Sequence, residues 1–366
     1  MPFSPNKPYN DLPKLPPSVV FETAKVLKKA VSANKALAEL KGMTRLIPHP
    51  TLLLNTLTLE EARDSSEIEN IVTTRDKLYR ALASNLKSVD PATKEVLRYR
   101  EALWYGFDVV KKRKLITTNI ILDIQKTLIH NNAGVRKLPG TQLVNDAAGK
   151  VRYTPPEGEK LIRDLLSNVE KFLNTENGID PLVRLALLHY QFEAIHPFYD
   201  GNGRTGRILN VLYLVHAGLL DLPILYMSRY IIQHRNAYYK LLRSVTTDET
   251  WEEWILFMLD AVEQTSLDTI EKVNKIRGLL DATIEKVKKE LPSIYTKELV
   301  ELLFEQPYCK VNFLVDAEIV ERKTAAKYLD LLVENGLLKK QAVGKESVYL
   351  NVPLYSLFSK GAPKLK

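Results

Sequence analysis

His196-Pro-Phe-Tyr-Asp-Gly-Asn-Gly-Arg-Thr-Gly-Arg207 is the stretch from which the rest of the chain can be read. It gathers one imidazole, one carboxylate, closely spaced glycines and two arginines, a set suited to holding a metal-bound polyphosphate beside a base. Upstream, Asp180-Pro181 predicts an N-cap followed by proline in the first helical turn, and Leu182, Leu185, Leu188, Phe192 and Ile195 recur at helical spacing. That helix is predicted to stop near His196, because a residue preceding proline is pushed out of the α region. Downstream, Ile208, Leu209, Val211, Leu212 and Val215 predict a second helix from Arg204 to Ala217, ended by Gly218. Gly201-Asn202-Gly203 then stands at its entrance, where glycine lets backbone N–H groups approach an anion and the helix dipole favours negative charge. Arg204 and Arg207 are three apart on one face, within reach of one anion. Asp200 is a hard oxygen ligand of the kind Mg²⁺ uses when it bridges phosphates, and His196 is the nearby group whose pKa suits taking a proton from a hydroxyl near pH 7.

A lone His-Pro is usually a helix end and a lone Gly-x-Gly usually a turn, but all of these elements in this order are far more specific. The stretch resembles the signature of the Fic (filamentation induced by cyclic AMP) family, H-x-F-x-D/E-G-N-G-R-x-x-R, at every defined position. The resemblance implies a protein adenylyltransferase, which cleaves ATP between its α and β phosphates and joins AMP to a hydroxyl side chain of a target protein. By it, His196 is the general base and Asp200 the Mg²⁺ ligand; Gly201, Asn202 and Gly203 form the anion hole, continued by Thr205 and Gly206. Arg204 and Arg207 neutralise the β and γ phosphates, and Phe198 anchors the loop in the core.

A second informative stretch is Glu61-Ala-Arg-Asp-Ser-Ser-Glu-Ile-Glu-Asn-Ile71. Ser65 and Glu69 are four apart and share one helix face, which in isolation reads as a solvated acidic surface. Beside the first motif it resembles the inhibitory S/T-x-x-x-E-G/N helix of many Fic proteins, here N-terminal to the catalytic motif at about residues 59–72. The resemblance implies that Glu69 pairs with Arg207. A carboxylate on the arginine meant for the γ-phosphate occupies the site and repels the incoming anion, so the enzyme is expected to be self-inhibited.

The chain has 366 residues, 45% hydrophobic and 26% charged, which suits a soluble globular protein of two or three domains. Its apolar runs are short and interrupted, so no membrane span is predicted, and Met1-Pro-Phe-Ser-Pro-Asn-Lys-Pro has no apolar signal core. One cysteine, Cys309, excludes an internal disulfide framework; together these lead to the expectation of a cytoplasmic protein. The formal charge of +8 suits a nucleotide or acidic partner but does not itself indicate DNA. No Walker A or G-x-G-x-x-G loop occurs, and His189, His216 and His234 lack metal-ligand spacing and read as structural.

Proline-rich residues 1–17 are predicted to lie extended along the body. A helix is predicted over Val19–Lys41, then a break across Gly42–Thr58 at Pro48 and Pro50. Thr73-Thr74-Arg75-Asp76 resembles a capping box opening a helix to about Leu86; further helices begin at Pro91 and Asn119, with Trp104 as a packing residue. Between Gly140 and Thr154 two short strands surround an Asn/Asp/Gly turn. In Fic proteins this position is the flap, which aligns the target peptide by strand addition, and the resemblance places Gln142, Leu143 and Val144 near nucleotide and target. Ser228–Val245 reads as helical, with Tyr238 and Tyr239 pointing in different directions; one belongs to the core, and the resemblance places the pair in the nucleotide pocket. Ser266–Leu291 predicts a long amphipathic connecting helix able to contribute to a homodimer, and 294–366 reads as a winged helix-turn-helix. Arg322, Lys323, Thr324 and Lys327 are its DNA-facing candidates, yet 11 Lys and Arg against 9 Asp and Glu leave that module only weakly basic, and contact with protein fits it as well.

The fold expected is all-α: an N-terminal helical region to 110 carrying the inhibitory helix, a Fic-type core over 111–262 with a β-hairpin flap, a connecting helix over 263–292 and a winged-helix domain over 293–366. Within this reading the substrates are ATP with Mg²⁺ and a target protein, the protein itself included. Two alternatives stay open: removal of AMP from a modified protein, with Glu69 positioning water, and a DNA-binding regulator that uses the Fic domain as a nucleotide sensor.

Overall fold

The computed structural model describes residues 3–44, 50–83, 89–145, 149–176, 178–343 and 346–358. In chain order these form α1 (Ala24–Thr44), α2 (Pro50–Ile68), α3 (Arg75–Ala83), α4 (Pro91–Arg113), α5 (Thr118–Ile129), β1 (Leu143–Asn145), β2 (Lys150–Tyr153), α6 (Glu159–Asn174), α7 (Pro181–Ile195) and α8 (Asn202–His216). Then follow α9 (Met227–Gln233), α10 (Arg235–Asp248), α11 (Trp251–Glu290), α12 (Lys297–Glu305), β3 (Tyr308–Cys309), α13 (Val311–Asp316), α14 (Arg322–Glu334), β4 (Lys339–Val343), β5 (Glu346–Leu350) and α15 (Val352–Phe358). The fold is helical with two small antiparallel sheets, as the sequence led us to expect.

At the centre lies α7, buried on nearly every side from Leu182 to Ile195, as befits a helix that is apolar all round. Helices α1, α6, α8 and α11 pack around it. Asp180 caps it by accepting from the Leu182 and Val183 N–H groups, with Pro181 in the first turn. The Trp254 indole donates to the Ala186 carbonyl at 2.8 Å and fastens α11 to α7. His189 stacks on Trp254 and stands 2.9 Å from the Tyr238 hydroxyl and 3.0 Å from Asn210 Nδ2; burial holds its pKa down to about 3, so it is a neutral core residue. On the other side of α8, α4 approaches closely because Gly106 faces Leu212 and Ile124. The N-terminal segment runs extended along the body: Asn168 bonds both backbone groups of Leu15, Gln191 donates to the Pro13 carbonyl, and the Tyr9 N–H donates to the Thr154 carbonyl at the end of the hairpin.

Several boundaries differ from the sequence reading. Pro50 opens α2 instead of breaking the chain through Thr58: it occupies the first turn, where the missing N–H costs nothing, while Pro48 lies outside the described residues. The helix ends at Ile68, short of 72, because Asn70 adopts a left-handed conformation (φ 62°), with Ile71 N–H bonded to the Ser66 carbonyl and Asn70 N–H to that of Glu67. Ser228–Val245 is two helices broken at His234. Helix α11 is continuous across residue 262, so core and connecting helix share one element. The expected helix end at Leu86 lies outside the described residues, as do Asp146 of the hairpin turn and Gly344 of the wing.

The C-terminal elements make the three-stranded sheet β3-β5-β4 beside α12–α14. They pack on the N-terminal region, with α12 against α2, Tyr308 OH donating to Asp76 at 2.6 Å, and Arg80 donating to Gln341 at 3.1 Å. Strand β3 and α15 were not foreseen: a two-residue strand has no detectable alternation.

The close approach of α4 and α8 is testable. A Cβ on Gly106 would stand 2.6 Å from Leu212 Cδ1 and 3.0 Å from Ile124 Cδ1. Gly106→Ala is expected to lower unfolding stability by about 1–3 kcal/mol through overpacking, more than the gain in helix propensity, measured by denaturant or thermal melts.

Candidate functional site

The site forms where α7 ends and α8 begins. His196 leaves α7 in the left-handed region (φ 49°, ψ 59°), its N–H still bonded to the Phe192 carbonyl, and Pro197 forbids a further turn. Phe198 is buried beneath the loop and packs against Phe192. The Asn202 side chain closes the loop from both sides, accepting from the Phe198 N–H and donating to its carbonyl, each at 2.8 Å. Its amide is thus engaged with the loop, and what Asn202 offers an anion is its backbone N–H. Gly201 takes φ 79° ahead of α8, a conformation glycine adopts without penalty, and Thr205 N–H bonds its carbonyl. Helix α8 begins at Asn202, two residues earlier than the apolar periodicity predicts, because the entrance is polar and carries no periodic signal.

Arg207 is 3% exposed, and a guanidinium cannot shed its charge, so it needs an anion. It donates Nε to Ser65 Oγ at 2.8 Å and Nη2 to the Ser65 carbonyl at 2.9 Å and to Glu69 Oε1 at 2.7 Å. Burial would push the Glu69 carboxyl up, but Arg207, with Arg204 and His196, outweighs it and holds the pKa below the ordinary value; Glu69 is a carboxylate at neutral pH. Its position is informative. A Cβ built on Gly203 would collide with Glu69 Oε1 and stand 2.9 Å from Arg207 Nη1, so the carboxylate rests directly on the first turn of α8. There it takes the place the sequence assigned to a phosphate.

Arg204 does not share that anion. It is bonded to Glu95 Oε2 at 2.9 Å and more weakly to Asp200 Oδ1 at 3.4 Å. Asp200 Oδ1 also accepts the Gly201 N–H at 2.6 Å, and its carboxylate, 68% exposed, faces outward at the mouth of the loop. One hard oxygen donor beside a phosphate cradle fits a Mg²⁺ ion that takes its remaining ligands from phosphates and water.

Tyr239 is 45% exposed and lies edge-to-face with Tyr238. Tyr238 is 1% exposed and bonded to His189, which makes it the core member of the pair. In the hairpin, β1 pairs with β2 through Leu143↔Tyr153, Val144↔Val151 and Asn145↔Lys150. Val144 is exposed and Leu143 half-buried on this strand, whose other edge carries no paired strand among the described residues; Gln142, exposed, lies just before it.

Besides Glu95, the residues Glu193, Arg136 and Glu61 escaped the sequence reading. Glu193 packs against Gly206, its Oε1 2.5 Å from where a Cβ would stand; burial pushes its pKa up to about 7 against the pull of Arg207. Arg136 reaches the carbonyls at the end of α7. Glu61, one turn before Ser65, is buried between Tyr99, 3.1 Å from Oε1, and Ser228, whose N–H is 3.2 Å from Oε2; burial raises its pKa to about 7. The i, i+4, i+8 spacing of Glu61, Ser65 and Glu69 was the available signal.

Burial and then Arg136 hold the His196 pKa down to about 4, so the ring is neutral at physiological pH, the form a proton acceptor requires. Acidification from 6.5 toward 4 therefore favours the unfolded chain, which takes the proton first. In ¹⁵N-histidine spectra, with His196→Ala to assign the signal, the His196 ring is expected to titrate near pH 4; a midpoint near 6.5 would contradict this environment.

Comparison with known proteins agrees with this geometry. Residues 27–108 match the Fic/DOC family N-terminal domain, 115–214 the Fic/DOC family domain, and 279–354 the C-terminal domain of SoFic-like protein adenylyltransferase. A protein adenylyltransferase Fic of Aedes aegypti is 29% identical over 199 residues, 54% of this chain but 38% of the relative. A probable protein adenylyltransferase of Aquifex aeolicus is 27% identical over 186 residues, 50% of this chain and 56% of its own. The chain thus spans little more than a third of the insect protein it matches. The crystal structure of a Fic family protein from Desulfovibrio desulfuricans superposes with a TM-score of 0.57 over 92% of this chain and 98% of that one at 19% identity, a likeness of fold. With both the N-terminal and the catalytic segments matched, and the loop between α7 and α8 built as above, the chain carries the N-terminal and catalytic domains of the Fic/DOC family.

Proposed function

We propose that this protein is an adenylyltransferase that moves AMP from ATP to a hydroxyl side chain of a target protein, and that Glu69 holds it inhibited. The observation that carries the proposal is the Glu69 carboxylate seated on Arg207 and on the first turn of α8, an anion in an anion site. In the reaction, neutral His196 takes the proton from the target hydroxyl. The oxygen bonds to the α-phosphorus, the bond from that phosphorus to the α–β bridging oxygen breaks, and pyrophosphate leaves. Arg207, freed of Glu69, and Arg204, whose Nη2 holds Asp200 only weakly while Nη1 stays on Glu95, offset charge on the β and γ phosphates. Asp200 would hold Mg²⁺, which supplies charge neutralisation of the leaving pyrophosphate. The edge of β1 at Leu143 and Val144, with Gln142 just before it, is suited to pairing with an extended target segment, and Tyr239 to stacking on adenine. We place the reaction in the cytoplasm, consistent with a single buried cysteine, Cys309.

The test is transfer of label from α-³²P-ATP with Mg²⁺ into protein. Glu69→Gly is expected to label itself or a target strongly, wild type weakly, and Glu69→Gly with His196→Ala not at all. Absence of labelling in all three, with ATP binding intact, would sink the reading and favour AMP removal or another donor.

Thermal shift gives a second check. In wild type, ATP must displace a carboxylate, whereas in Glu69→Gly the site is vacant, so a given ATP concentration is expected to raise the Tm of the variant more. Equal shifts would mean that Glu69 does not compete with the nucleotide.

A further inference from the structure

We propose that Arg136 is a positioning residue for this reaction, its guanidinium fixing the turn that carries His196 and tying that turn to the base of the hairpin. This rests on the transfer reading above. Arg136 lies just before β1 and is 1% exposed, in a protein whose charged side chains otherwise mostly reach solvent. Its Nε donates to the His196 carbonyl at 2.7 Å, and Nη2 to the carbonyls of Ile195, at 3.3 Å, and Pro156. Its own backbone N–H donates to the Pro197 carbonyl at 2.9 Å.

Two of these acceptors are carbonyls that α7 leaves unsatisfied at its C-terminus, where a cation also meets the negative end of the helix dipole. His196 is held there in a left-handed conformation that a residue bearing a β-carbon adopts only under strain. It persists because the surrounding contacts determine it, and Arg136 supplies them on one side as Asn202 does on the other. Pro156 follows β2, so the same fork joins the catalytic turn to the strand pair expected to present the target. A lysine has one compact charge and no planar fork, and cannot reproduce this bonding. The charge acts too: a buried guanidinium beside the imidazole disfavours its protonation, while Glu69 and Asp200 favour it.

The test uses the full-length Glu69→Gly protein with Arg136→Gln and Arg136→Lys added, reading kcat, ATP affinity by calorimetry and the His196 titration. Arg136→Gln is expected to lower kcat about 100-fold from a misplaced base, with ATP affinity changed little. Its His196 midpoint is expected to rise, while Arg136→Lys loses the fork, lowers kcat less and keeps the low midpoint. An unaltered kcat and midpoint in Arg136→Gln would overturn the proposal. So would a parallel loss of kcat, ATP affinity and stability that is the same in both variants, since that describes a purely structural residue. If Arg136→Gln fails to fold, Arg136→Lys decides, because a full kcat there rules out a need for the fork. If the Glu69→Gly parent transfers nothing yet the midpoint rises in Arg136→Gln, the transfer reading fails and the action of Arg136 on His196 stands.

Discussion

A buried guanidinium must have an anion, and Arg207 organises this protein around that requirement. It cannot be neutralised by losing a proton, and at 3% exposure water cannot solvate it. One arm is held by the Ser65 hydroxyl and carbonyl; the charge is met by Glu69. In this structure the anion is the protein's own carboxylate, seated where an incoming phosphate would otherwise meet the guanidinium. On the proposed reading, inhibition by competition follows from the burial of this one residue.

Helix α2, which delivers the carboxylate, is built for that purpose against its own interests. Glu60, Glu61, Arg63, Asp64, Ser65 and Ser66 are all buried, a polar load that an ordinary core helix would not carry. The charged ones are each met by a partner: Arg75 forks onto Glu60, Tyr99 and Ser228 bond Glu61, and Arg63 pairs with Asp64. Glu69 caps the C-terminal end, where the helix dipole opposes a carboxylate, and what offsets this is the N-terminal end of α8 together with Arg207. The C-terminal domain rests on this same helix through α12, so its placement bears on how firmly α2 is seated.

The catalytic loop was legible because its chemistry is local: helix, proline, glycines and arginines stand within one short stretch, and capping rules place the turn. Glu69 was legible for a different reason, a recognisable pattern, since nothing in the sequence spacing brings residue 69 to residue 207. Arg136, Glu95 and Glu193 were not legible. Each is a charged residue in an ordinary sequence context whose role comes from the tertiary contact it makes, and periodicity carries no information about that. The same limit explains Tyr238 and Tyr239: helical geometry says that adjacent side chains diverge, but only the packing against His189 and Trp254 says which one is interior.

Rigidity and release are divided between the two halves of the site. The loop that carries His196 is fixed from several sides, by Asn202, Phe198 and Arg136, and has no slack. Glu69 is held otherwise. Its carboxylate makes one bond to Arg207 and lies at the helix end, just before a left-handed Asn70 whose side chain and the Ile68 carbonyl are bonded by Arg235. If the Glu69 side chain turns away, Arg207 loses one of three contacts and keeps both bonds to Ser65, so the guanidinium stays aimed at the vacated place. Admission of a phosphate then requires side-chain rotation and not the unseating of α2, whose buried Glu61 and Asp64 would resist such a movement.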